Sequence, residues 1–117
     1  MTFFTSRWVD VPDSVTDVGG DLLAPGFIAA GAAAGIKSSG ELDIGLLTGP
    51  PDTVSAARFT ASSTVAAPVI ITRDRARLDA IQTVAVNSGN ANAGTGRPGL
   101  DEAARMQGGA SIATGTS

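Results

Sequence analysis

The sequence contains no cysteine, no histidine and a single lysine, Lys37. Without cysteine there is neither a disulfide framework nor a thiolate zinc site. Without histidine the commonest general base and the commonest metal ligand are both missing. Ser-His-Asp and Cys-His catalysis are therefore excluded within these 117 residues. Charge is scarce too: Asp, Glu, Lys and Arg together make 16%, with 8 Lys+Arg against 11 Asp+Glu and a net charge of −3. A nucleic-acid partner would call for a basic stripe, so none is expected. Long hydrophobic runs are also missing. The longest uncharged greasy stretch, Leu22 to Ile36, is 15 residues and stops at Lys37, short of the roughly 20 that a membrane span requires. No membrane partner is expected. Met1 to Trp8 shows no secretory leader, so the expected location is cytoplasmic.

Large side chains are the next shortage. Apolar residues reach 43%, the opposite of a disordered tail, so the chain is expected to fold. Yet there are 20 Ala and 15 Gly against 30 large apolar residues. Small side chains bury little area, at roughly 25 cal/mol per Å², and a domain of this length buries only about two thirds of its unfolded surface. The core is therefore expected to be thin and to need packing from a second chain or from further polypeptide.

Along the chain, residues 1–23 mix Asp, Pro, Ser and Gly without a period. They read as a loose arm, either floppy or pinned through Phe3, Phe4 and Trp8. Phe27 to Lys37 (FIAAGAAAGIK) fits a helix by its alanines or a closely packed small-residue strand by Gly31 and Gly35; propensity leaves the two level. Leu42 to Thr48 reads as a strand stopped by Gly49, Pro50 and Pro51. Val54 to Thr60 reads as its antiparallel partner. Ala66 to Thr72 reads as a buried β-branched strand, with Pro68 limiting its pairing. Arg73 to Ala80 is a short charged helix or turn, and Thr83 to Val86 another buried strand. Leu100 to Ala113 reads as a helix. Asp101 and Glu102 suit its first turn, Ala103, Ala104, Met106, Ala110 and Ile112 are its apolar positions, and Gly108 and Gly109 weaken its middle. The expected class is α/β, mixed, with antiparallel strand pairs and a strand–loop–helix unit.

The informative segment is Asn87 to Gly99, NSGNANAGTGRPG, between a strand and a helix. Asn87, Ser88, Asn90 and Asn92 bring hydrogen-bonding side chains among glycines that permit sharp bends. Such a loop can grip a polar or anionic small molecule, hold another loop of an active site, or satisfy only its own backbone. Gly94, Gly96 and Gly99 spell G-x-G-x-x-G, but Gly94 comes seven positions after Asn87 and Pro98 lies inside the motif. A dinucleotide fingerprint begins at the strand end and has an acidic residue about 20 positions later. No cofactor is expected. The carboxylate pairs Asp43/Asp52 and Asp101/Glu102 read as solvated surface. Lys37 reads as solvated or snorkelling, and Arg58 as a possible carboxylate partner.

Four blocks in order carry a resemblance: Ala24 to Lys37 (APGFIAAGAAAGIK), Leu42 to Gly49 (LDIGLLTG), Ala57 to Val69 (ARFTASSTVAAPV) and Val84 to Ala103 (VAVNSGNANAGTGRPGLDEA). They resemble the amino-terminal part of the ornithine acetyltransferase family, the bifunctional glutamate N-acetyltransferases of arginine biosynthesis. Gly94 stands where many members have Cys.

The resemblance implies the amino-terminal portion of a self-processing fold, with residues 24–117 a partial domain that stops at a helix end. It implies acetyl transfer from N-acetylornithine to glutamate through a threonine freed by self-cleavage between an Ala and a Thr, with no metal and no cofactor. That threonine is not in this chain, so no catalytic residue is assigned here. The partners implied are N-acetylornithine, glutamate, and a missing C-terminal part or second chain, in a hetero-oligomer of two chain types. The Asn87, Ser88, Gly89, Asn90 and Asn92 loop would line or support the substrate site. Thr114 and Gly115 come too early for the family's oxyanion-hole pair; Gly115 fits a helix C-cap instead. A non-catalytic binding or assembly module that retains the loop is the alternative. A related self-processing aminopeptidase is a third reading, disfavoured by NSGNAN.

Overall fold

The computed structural model describes residues 10, 12–16, 18–19 and 21–116. Phe3, Phe4 and Trp8 of the expected arm lie outside the described residues. Among the described residues three strands, β1 (Ile28–Ala32), β2 (Ile44–Thr48) and β3 (Thr83–Asn87), form one antiparallel sheet in the order β1-β2-β3. Two helices accompany it: α1 (Ala67–Arg75) lies between β2 and β3 in sequence, and α2 (Gly96–Thr114) follows β3. The class is the expected mixed α/β with antiparallel pairs and a strand–loop–helix unit.

The small-residue segment resolves as a strand. Ile28 pairs with Thr48 and Ala32 with Ile44 along the edge of β2. The other edge of β2 pairs with β3, Ile44 with Asn87 and Thr48 with Thr83. Residues opposite one another share a face. Ile44, Leu46 and Thr48 therefore stand with Thr83, Ala85 and Asn87, and Leu47 stands with Val84. The expected strand end is present: β2 stops at Thr48, and the Thr53 amide and hydroxyl both bond the Pro50 carbonyl in the following turn.

Two expected strands are corrected. Val54 to Thr60 forms no strand, because both edges of β2 are already occupied. Ser55 instead stitches this segment to the chain before β3. Its hydroxyl donates to Leu78 O at 2.9 Å and accepts from Ile81 N at 2.7 Å. Ala66 to Thr72 is not a strand but the body of α1. Pro68 sits in the first helical turn, where its missing N–H has no intrahelical partner to lose and its fixed φ suits the helix. The β-branched residues cost at most about 0.7 kcal/mol each in helix propensity, and burial of Ala67 and Ile71 one turn apart outweighs that. The charged stretch divides: Arg73 to Arg75 complete α1, favourable at its carboxyl end, and a turn follows in which Ala80 N bonds Arg77 O.

Three further readings change in detail. The strand at Thr83 is half-buried, with Val84 47% and Val86 56% exposed. α2 begins four residues earlier than expected, because Pro98 falls among the first-turn amides that need no partner. Asp101 and Glu102 consequently sit past the first turn and pair along the helix, with Arg97 at 3.8 Å and Arg105 at 3.1 Å. Ile112 is exposed rather than core-facing. Gly115 caps α2 as expected, with φ +67° and its amide on Ser111 O.

α1 packs on α2, and α2 on β3. At the far end, the Thr83 hydroxyl meets those of Thr48 at 3.2 Å, Thr114 at 3.3 Å and Thr116 at 3.1 Å, tying the helix end to the sheet. Among the described residues the buried apolar side chains are only Ala67 and Ile71, the thin core that the alanine count implies. Ile71→Ala is expected to cost about 2–3 kcal/mol and to free α1 from α2. Loss of amide protection along α1 in hydrogen exchange is the measurement.

Candidate functional site

A recess of about 950 Å³ opens between one face of the sheet, both helices and the Asn/Gly loop. Ile44 and Ala85 form its floor, Ala67 and Ile71 of α1 one wall, and Thr95, Gly99, Ala103 and Met106 another. Its base is apolar. Polar groups enter at the rim from Asn87, Asn90, Asn92, Glu102 and Arg105.

The strand–loop–helix unit places the asparagines. Asn87 is the last residue of β3, on the same face as Ala85 and opposite Ile44, so its side chain turns to the helix side. Gly89, Gly94 and Gly96 all have positive φ, at +89°, +67° and +60°, and let the loop double back before α2. The doubling closes a carboxamide chain: Asn92 Nδ2 donates to Asn87 Oδ1 at 2.6 Å, and Asn90 Nδ2 to Asn92 Oδ1 at 3.3 Å. Asn87 is left with its NH2 donors and Asn90 with its carbonyl, outside this chain of bonds. Such a rim can recognise an amide or a carboxylate without charge. Ser88 and Gly89 do not border the recess. Ser88 N donates to Asp43 O at 2.9 Å, and Gly89 lies against Lys37 and Ile36. Gly94, Gly96 and Gly99 belong to the loop and the first turn of α2, not to a strand end. Gly99 packs on the Thr95 side chain so closely that a Cβ there would collide with it.

Asp43 overturns its reading as a solvated carboxylate. It is 2% exposed. Oδ1 accepts from Ala34 N at 2.6 Å, and Oδ2 from Ile36 N at 2.6 Å and Lys37 N at 2.9 Å. The Ala34 amide first, and the Lys37 amide next, hold its carboxyl below the ordinary aspartate value, with burial opposing them. A lone charged residue at the head of an apolar strand (LDIGLL), preceded by glycines at 35 and 40 that let the chain return, was the available signal. Lys37 is half-buried, its ammonium donating to Leu42 O at 3.0 Å, which fits snorkelling. Asp52 and Arg58 are exposed, and Arg58 forms no ion pair among the described residues. Thr114 ends α2 and its hydroxyl donates back to Ala110 O at 2.8 Å, so it belongs to the helix cap. No described helix is long and apolar enough to cross a membrane.

The ArgJ family matches residues 28–117. The chain is 44% identical over 90 residues to the arginine biosynthesis bifunctional protein ArgJ of Symbiobacterium thermophilum, covering 74% of this chain and 22% of that protein. It is 44% identical over 86 residues to the ArgJ protein of Synechocystis, covering 72% and 21%. It thus spans about a fifth of the length of the curated relatives it matches. Among solved structures, it superposes on an ornithine acetyltransferase of Mycobacterium tuberculosis, solved in complex with ornithine. That match has a TM-score of 0.60 and 42% identity, over 68% of this chain and 42% of that one. The ArgJ structure from Bacillus halodurans matches with a TM-score of 0.68 and 31% identity, over 80% and 49%. The mixed α/β architecture is thus shared with solved ornithine acetyltransferases.

Proposed function

The chain belongs to the ArgJ family, and on that premise we propose that its residues are amino-terminal scaffold and recess lining of an acyltransferase of arginine biosynthesis. The enzyme moves an acetyl group from N-acetylornithine to glutamate. Residues 24–117 are part of one larger domain, and the reactive hydroxyl is a threonine on polypeptide outside them. The threonine hydroxyl attacks the acetyl carbonyl, its proton passing to an amine base. The amide C–N bond breaks and ornithine leaves, taking the proton on its nitrogen. The glutamate amine then attacks the threonine ester, forming N-acetylglutamate and restoring the hydroxyl. Neither half-reaction calls for histidine, metal or redox cofactor, which suits a chain that has no histidine. Self-cleavage between an Ala and the Thr produces two chain types that assemble as a hetero-oligomer, working in the cytoplasm.

One observation supports the recess-lining role above the rest. The carboxamides of Asn87, Asn90 and Asn92 are linked in series at the rim of the recess, poised to grip an amide-bearing substrate or the loop that carries the threonine. The test supplies the 117-residue chain alone, and then with the threonine-bearing polypeptide, with N-acetylornithine and glutamate. The expected result is no N-acetylglutamate from the chain alone and turnover from the pair. Asn92→Ala in the pair is expected to lower turnover by roughly 10- to 100-fold, through loss of a positioned polar wall. Acetyl transfer by the chain alone contradicts the placement of the nucleophile. Binding of acetylated amino acids without turnover, even in the pair, favours the assembly-module reading.

A further inference from the structure

We propose that Asp43 is a positioning residue for the Asn87–Asn92 wall, acting through Lys37 and Gly89; this rests on the recess-lining role proposed above. Asp43 does not border the recess, so its contribution passes through its neighbours. Its carboxylate gathers the amides of Ala34, Ile36 and Lys37, in a segment that follows β1 and has left the sheet ladder. Those bonds pin the segment where Lys37 and Ile36 form a backing surface. Gly89 lies directly on it: a Cβ there would stand 2.6 Å from Lys37 Cγ and 3.6 Å from Ile36 Cγ2. Gly89 also needs its φ of +89°, a conformation other residues adopt only with strain. Asp43 holds the loop a second time through its main chain, its carbonyl accepting from Ser88 N at 2.9 Å. One residue thus clamps both the backing segment and the first turn of the asparagine loop. Two residues past Ser88 the loop carries Asn90, and Asn92 returns to Asn87 at 2.6 Å. Releasing the backing segment leaves Gly89 unsupported and the carboxamide chain free to shift.

The experiment uses the assembled two-polypeptide enzyme, with acylatable sites titrated so that rates are expressed per competent site. Asp43→Asn keeps the size but turns one acceptor into a donor facing backbone amides. It is expected to lower kcat per titrated site by roughly 10-fold, since small misplacements of a positioning wall have effects of that order, with KM changed less than about twofold. Amide exchange at Ser88 and Asn90 should quicken in parallel. Lys37→Ala leaves the backbone amide on Asp43 and removes only the backing side chain. It is expected to shift the same readouts in the same direction by a smaller factor, and it carries the test if Asp43→Asn fails to assemble. A merely structural Asp43 would reduce the number of titratable sites while leaving rate per site and loop exchange unchanged, and that result overturns the proposal. Asn92→Ala in parallel separates the two ideas. If it is slow while Asp43→Asn and Lys37→Ala are normal, this inference alone fails. If all three are normal, the recess-lining role fails with it.

Discussion

Asp43→Asn is expected to lower the melting temperature of the assembled enzyme by on the order of 10 °C, and to leave the chain on its own without a folded baseline. The reason lies in what the amide does to three N–H groups at once. Ala34, Ile36 and Lys37 each donate to a carboxylate oxygen at 2.6 to 2.9 Å. An asparagine keeps one acceptor and points an NH2 at the remaining donors, so that part-buried amides lose their partner. Asp43→Ala removes the acceptors altogether and should be at least as damaging. The same carboxylate sets a pH signature. Its folded pKa lies below the ordinary aspartate value, so the unfolded chain binds the proton more readily than the folded one. Its stabilisation is therefore complete above the unfolded value of about 3.9, and is lost as pH falls through the lower folded value. Thermal unfolding followed from pH 7 downward should show a flat plateau and then a decline below about pH 4. In Asp43→Asn the part of that decline due to this group should vanish. A wild-type curve with the same acid limb as the variant would contradict the assignment.

This carboxylate also marks the limit of what local sequence reveals. The asparagine loop was legible because its chemistry is local: Asn87, Asn90 and Asn92 lie within six residues, and the glycines among them announce a tight reversal. α2 was legible for the same reason, down to the C-cap at Gly115, although Pro98 concealed its first turn. Asp43 was not, because its partners lie six to nine residues upstream, and their approach depends on β1 returning to β2. The α1 segment failed differently. AAPVIIT carries β-branched residues that favour a strand when judged alone, and the deciding fact is tertiary: α1 packs on α2, with Ala67 and Ile71 as its buried residues. Val54 to Thr60 failed on topology. Its alternation was compatible with a strand, but β2 already had a neighbour on each edge. In each case the sequence carried the local preference and the sheet order decided whether it could be used.

The sheet order has a second consequence, and it yields the largest expected effect. The chain alone is expected to melt broadly and at least about 15 °C below the assembled enzyme, and to bind a hydrophobic dye before it melts. Among the described residues the buried apolar set is Ala67 and Ile71, where a domain of this length ordinarily buries about two thirds of its unfolded surface. The apolar side chains that would complete such a core face outward instead. Val84 is 47% exposed, Val86 56% and Ile28 70%. Leu47 and Val84 share one face of the sheet and Ile28 stands on the other, so both faces carry uncovered apolar surface. Neither a change of rotamer nor closure of α1 on α2 can cover the Leu47–Val84 face, because both helices lie on the other side. Among the described residues nothing covers that face, and on the proposed function further polypeptide is expected to bury it. Supplying the threonine-bearing partner should therefore sharpen the transition, raise its midpoint and abolish dye binding together. Replacing Val84 and Val86 with Thr should narrow the gap from the bound side by weakening the assembly, with little effect on the chain alone. A chain that melts sharply by itself and gains nothing from the partner would mean that the outward-facing valines are surface after all.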